Sequence, residues 1–75
     1  MITIEYFISP HSLKQWSKNG MLDRNNDQPS VIWPDGKLEW YKEGKLYRDN
    51  DLPAVETKDG FKLWYQKGSL YTRTT

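Results

Sequence analysis

Gly44-Lys45-Leu46-Tyr47-Arg48-Asp49-Asn50-Asp51-Leu52-Pro53-Ala54-Val55-Glu56-Thr57-Lys58-Asp59-Gly60-Phe61-Lys62-Leu63-Trp64-Tyr65-Gln66-Lys67-Gly68 is the stretch on which the fold turns. Lys45 to Arg48 reads as a short strand, and Asp49-Asn50-Asp51 as the polar loop that ends it. Pro53 then opens Ala54 to Thr57, at a strand start where a missing N–H is tolerated. Lys58-Asp59-Gly60 is a tight hairpin signal, and Phe61 to Gln66 is the return strand. Lys67-Gly68 makes the following turn into Ser69-Leu70-Tyr71.

Working outward, the same pattern recurs every 24 residues: Trp16, Trp40 and Trp64 superimpose, as do Gly20, Gly44 and Gly68, and Leu22, Leu46 and Leu70. Arg24 matches Arg48, Pro29 matches Pro53, Val31 matches Val55, and Asp35-Gly36 matches Asp59-Gly60. Pro34 stands where a type I turn favours proline, with Lys58 as its counterpart. Glycines 20, 36, 44, 60 and 68 are read as turn residues that accept positive φ. Such breakers at short intervals exclude long helices.

The fold class expected is all-β: an antiparallel meander of about seven to eight short strands, built from 24-residue hairpin repeats and twisted. It is one domain, residues 1–75. Residues 1–12 form an N-terminal capping strand and turn, and 13–36, 37–60 and 61–75 are repeat units, the first and last degenerate or partial. Ser9-Pro10 offers an alternative, a short helix over His11 to Ser17. The match of Leu13-Lys14-Gln15-Trp16 to Phe61-Lys62-Leu63-Trp64 favours a repeat strand there instead.

A chain of 75 residues has a small core, and with no cysteine and one histidine it has neither disulfides nor a thiolate or histidine-cluster metal site. Four Trp, five Tyr and two Phe must supply the packing area. The net charge of +1 lacks the concentrated basic surface of a duplex-DNA binder. It argues equally against an acidic DNA mimic. Ile2 to Ile8 has neither the basic leader nor the length of a signal or spanning segment, so a soluble cytoplasmic protein is expected.

Trp16, Trp40, Trp64, Leu22, Leu46 and Leu70 are the expected structural core. Alternation then sends Tyr41, Phe61, Leu63 and Tyr65 to the second strand face, more apolar area than one small core absorbs. These four, with Trp33, are the candidate centre of a partner-binding surface, and Tyr47, Tyr71, Arg24 and Arg48 its polar rim. Arg24 and Arg48 have an equally good structural reading, stapling adjacent loops through Asp27 and Asp51. Asp23-Arg24-Asn25-Asn26-Asp27 spaces oxygen ligands alternately but lacks the glycine and later glutamate of a calcium loop. No nucleophile, base and orienting group converge, and no catalytic residue, cofactor or metal is assigned.

Gly44 to Val55 and Asp59 to Tyr65 resemble a divergent MORN-type repeat, over roughly residues 16 to 75. Similar variants occur in phage, giant-virus and bacterial proteins, and in antitoxins of the YwqK type. Tyr47 and Asp23 stand where that pattern often carries histidine, and Arg73 lies one position from the expected arginine. The resemblance implies a hairpin-repeat scaffold for protein–protein interaction, without a reaction, and extends to a small phage or mobile-element inhibitor of a host defence or regulatory protein. The alternatives are single-stranded nucleic-acid or carbohydrate stacking on the aromatic face, and self-assembly as a homodimer through strand edges or that face. Near-neutral charge and the lack of an amphipathic helix disfavour membrane association.

Overall fold

In the computed structural model, residues 4–8, 13–66 and 68–71 are described. Ser9-Pro10, His11, Lys67, the tail from Thr72 and the side chain of Tyr71 lie outside the described residues. The described chain is all-β and antiparallel, with no helix. Its strands are β1 (Ile4–Ile8), β2 (Lys14–Lys18), β3 (Met21–Leu22), β4 (Val31–Ile32), β5 (Leu38–Glu39), β6 (Tyr41–Lys42), β7 (Lys45–Leu46), β8 (Val55–Glu56), β9 (Lys62–Gln66) and β10 (Ser69–Tyr71). They form an eight-stranded sheet, ordered β1-β2-β4-β5-β8-β9-β10 with β3 also on β2, and a separate β6-β7 ribbon. Of the short helix considered over residues 11 to 17, the described part from Lys14 onward is instead a strand, Lys14–Lys18.

Ten strands exceed the seven or eight expected, in part because Trp40 interrupts the ladder between β5 and β6. The tryptophan changes partners. Its N–H donates to the Ala54 carbonyl at 2.8 Å, while its own carbonyl accepts from Tyr47 N–H at 3.0 Å. Trp16 does the same with Ser30 and Asp23, at 2.9 and 3.0 Å. Each long strand therefore serves two ladders. Its first half pairs with the two-residue strands β4 and β8, and its second half with the hairpin strand that follows it.

The turns repeat with the strands. Asn19-Gly20 and Glu43-Gly44 have positive φ at both positions (52° and 81°, 52° and 80°), the type I′ signature of a two-residue hairpin. Gly36 N–H donates to Trp33 O at 2.9 Å and Gly60 N–H to Thr57 O at 3.0 Å, which puts Pro34 and Lys58 at the second position of a type I turn. Gly36, at φ 97°, then takes the left-handed residue that rejoins the strands with the right twist. In the loops, Asn26-Asp27 and Asn50-Asp51 have positive φ in turn, a conformation these short polar side chains tolerate. Successive hairpins are joined by Gly44 N–H to Leu22 O and Gly68 N–H to Leu46 O, both 2.9 Å.

The first strand, expected as an added cap, sits in repeat register. Phe7 pairs with Gln15 and Ile8 with Lys14, as Val31 and Ile32 pair with Glu39 and Leu38, and Val55 and Glu56 with Leu63 and Lys62. Each position is 24 residues from the next. The period thus reaches β1, ahead of the first tryptophan.

The core is a narrow seam of Ser30, Val31, Trp40, Pro53, Ala54 and Val55. Trp16, Trp64, Leu22 and Leu46 are half-buried around it. Leu70, expected in that core, is 60% exposed. Leu22 and Leu46 each have a following hairpin bonded to their carbonyl, and Leu70 has none among the described residues.

Candidate binding surface

Cross-strand pairing sorts the sheet residues into two faces. Gln15, Val31, Glu39, Val55 and Leu63 lie opposite one another in one row, and Lys14, Ile32, Leu38, Glu56 and Lys62 in the next. Residues two apart along a strand share a face, so the first row brings Trp33, Tyr41, Phe61 and Tyr65 with it. Its two valines, Val31 and Val55, are buried.

On that face Trp33 Nε1 donates to Glu39 Oε1 at 2.8 Å, and Lys37 Nζ lies 4.5 Å from the centre of the Trp33 ring. The Tyr41 hydroxyl is held above its ordinary range, first by burial, then by the negative charge of Glu39 and by Tyr65. Glu39 and Tyr65 are therefore each within electrostatic reach of Tyr41. Trp33 is 37% exposed, Leu63 42% and Phe61 71%, whereas Tyr41 and Tyr65 are half-buried. Alternation thus places the five residues expected at the apolar centre in a band on one face, with the Glu39 carboxylate among them. Each type I turn carries one ring of this band: Trp33 enters the first, and Phe61, in the place of Lys37, leaves the second.

The expected polar rim is arranged differently. The Arg48 guanidinium lies 3.7 Å from the centre of the Trp40 ring, and Arg24 lies 3.5 Å from that of Trp16. Arg48 also grips Asp27 through Nε and Nη2 at 3.0 and 3.2 Å, Glu56 through Nη1 at 2.9 Å, and the Pro53 carbonyl at 3.1 Å. Burial pulls its pKa down, but the hydrogen bonds and charges of Asp27 and Glu56 outweigh this and hold it above the usual arginine value. Arg24 bonds the Pro29 carbonyl at 3.2 Å in the same fashion. Arg24 thus closes its loop over Trp16 and Arg48 over Trp40. Two indole N–H groups are fixed by loop carbonyls, Trp40 to Asp27 O and Trp64 to Asp51 O, both at 3.0 Å. Tyr47 stands apart from the aromatic band, with Lys42 Nζ 5.5 Å from its ring and its hydroxyl raised by a hydrogen bond to Asp49.

Two shallow clefts accompany these loops. One, of about 210 Å³, is lined by polar groups including Lys18, Asp23, Asn26, Asp27 and Asp49; the other, of about 400 Å³, by Lys42, Glu43, Lys45 and Tyr47. The alternate oxygens of Asp23 to Asp27 are occupied by donors of the chain itself. Asp23 accepts from Glu43 N–H at 3.2 Å and pairs with Lys18 at 3.6 Å; Asn25 accepts from Lys18, and Asp27 from Arg48. Among the described residues no group of three or more His, Cys, Asp or Glu could hold a metal ion.

Two features escaped the sequence reading. Glu39 joins the aromatic band because its strand position matches Leu63, which the period alone reveals. Ser30, buried at the position of Ala54, donates its hydroxyl to Tyr41 O and accepts from Tyr41 N–H, both at 3.1 Å. These Tyr41 groups point away from β7, because Tyr41 and Leu46 occupy a non-hydrogen-bonded site of the hairpin. A hydroxyl at the position that Ala54 holds in the next repeat was the available signal.

No helix among the described residues is long and apolar enough to cross a membrane. Comparison with known proteins found no matching family model, no similar curated protein and no similar solved structure.

Proposed function

We propose that the chain is a protein-binding module of the MORN-type hairpin-repeat kind, and that the band of Trp33, Glu39, Tyr41, Leu63 and Tyr65 meets its partner. The observation that supports this most is exposed aromatic and aliphatic area on one face, beside a carboxylate. Such rings give large contact area at low entropic cost, and Glu39 favours a partner segment that brings a cation among apolar side chains. The same carboxylate repels phosphate, which favours protein over single-stranded nucleic acid. The reading involves no reaction: Asp27 and Glu56 are engaged by Arg48, and Glu39 by Trp33. The setting that fits the resemblance is a small phage or mobile-element factor blocking a host protein in the cytoplasm.

Capture from host extract, followed by titration of the purified partner, tests this. Trp33→Ala and Tyr65→Ala are expected to weaken binding about tenfold or more each, the scale of a lost aromatic anchor. Lys14→Ala, in the opposite row, is expected to leave affinity within about twofold, less than a typical anchor loss. Undiminished binding by both aromatic variants would reject the surface.

A further inference from the structure

The two ends of the sheet carry matching halves of one repeated interface. Within the chain, β4 lies between two long strands, with Ile32 opposite Lys14 on one side and opposite Leu38 on the other. The strand β8 repeats this, with Glu56 between Leu38 and Lys62. At the first end, β1 holds the register of β4 and β8 but has only β2 beside it among the described residues. At the other end, Lys62-Leu63 holds the register of Lys14-Gln15 and Leu38-Glu39, with β8 on one side and, among the described residues, no strand on the other. Among the described residues, one end has no long strand beside it and the other no two-residue strand.

The hairpins are open in the same sense. An added Cβ on Gly44 would meet Met21 Cβ at 3.6 Å and one on Gly68 would meet Lys45 Cβ at 3.7 Å, but one on Gly20 would meet nothing within 4 Å. Among the described residues, Gly20 is therefore the uncovered start of the glycine-to-leucine ladder, and Leu70 its uncovered end. Ile8 and Leu70 are 52% and 60% exposed, although their repeat counterparts Ile32, Leu22 and Leu46 are half-buried.

We infer that copies of the chain associate head to tail, with β1 of one copy pairing with Lys62-Leu63 of the next. The register is dictated by the internal interfaces: Ile8 opposite Lys62, Phe7 opposite Leu63, and Gly20 N–H on the Leu70 carbonyl. The contact joins unlike surfaces, so it propagates beyond two copies instead of closing about a two-fold axis. A net charge of +1 sets little repulsion against it. This inference goes beyond the proposed partner surface: the two share Leu63, but Trp33 and Tyr65 take no part in the copied pairings.

Sedimentation equilibrium from micromolar to millimolar concentration tests it with blocked ends. The wild type is expected to rise from its monomer mass of 8.9 kDa past that of two copies. Ile8→Lys and Leu70→Lys, each alone, are expected to stay monomeric, and an equimolar mixture to form a one-to-one pair and stop. The milder Ile8→Thr and Leu70→Thr, checked for the native circular dichroism spectrum, are expected to repeat the pattern. A wild type monomeric throughout, a dimer indifferent to Ile8→Lys, or a mixture of folded variants that fails to pair would each overturn the inference. Trp33→Ala is expected to leave this assembly intact, so loss of partner binding and loss of self-association are read separately.

Discussion

At the scale of single residues, buried polar groups decide more than their number suggests. Ser30 satisfies two outward-pointing backbone groups of Tyr41 with one hydroxyl. Ser30→Ala would leave both without that partner in a half-dry seam, at a cost of about 1–3 kcal/mol. For a domain of this size that lowers the midpoint of thermal unfolding by roughly 4–8 °C per kcal/mol, readable by calorimetry. Tyr41 itself sets an alkaline limit. Its hydroxyl titrates above the ordinary 10.0 in the folded chain, because burial and Glu39 oppose the phenolate. The unfolded chain thus ionises first, so this contribution is complete below pH 10.0 and is lost as pH rises through the folded value. Urea unfolding on either side of that window should show the decline, and Tyr41→Phe should flatten it; an unchanged slope in that variant would assign the decline elsewhere.

At the scale of elements, turn chemistry was the most legible part of the sequence. Pro34-Asp35-Gly36 and Lys58-Asp59-Gly60 announced their hairpins, because only a few residue types suit those dihedrals. Strand faces were legible too: alternation alone gathered Tyr41, Phe61, Leu63 and Tyr65. What alternation could not register is the exchange of partners at Trp40. It depends on where the Arg48 loop folds back, and so it hid the placement of Arg48 against the indole, away from the aromatic band. Glu43 marks an element still under local strain. It takes φ 52° in a type I′ turn whose first copy uses Asn19 at the same angle. Glu43→Asn is expected to stabilise the β6-β7 hairpin by about 0.5–1 kcal/mol, as asparagine tolerates this conformation better. A higher urea midpoint with an unchanged slope would bear this out, and a lower one would count against it.

At the scale of the whole molecule, small size and a thin core are offset by repetition. Trp16 and Trp40 each lie under an arginine, Arg24 and Arg48 each hold a proline carbonyl, and Gly44 and Gly68 each bond the hairpin before. Stability in such an array is the sum of units and of the interfaces between neighbours. A partner surface or an assembly then comes from what the stack leaves uncovered. The direct measurement is the thermal midpoint of a chain in which residues 25–48, one full period, are duplicated in tandem. Units that are interchangeable add an interface, so the lengthened chain should melt cooperatively and above the parent. A lengthened chain that unfolds at or below the parent's temperature, or loses its β spectrum, would contradict the account.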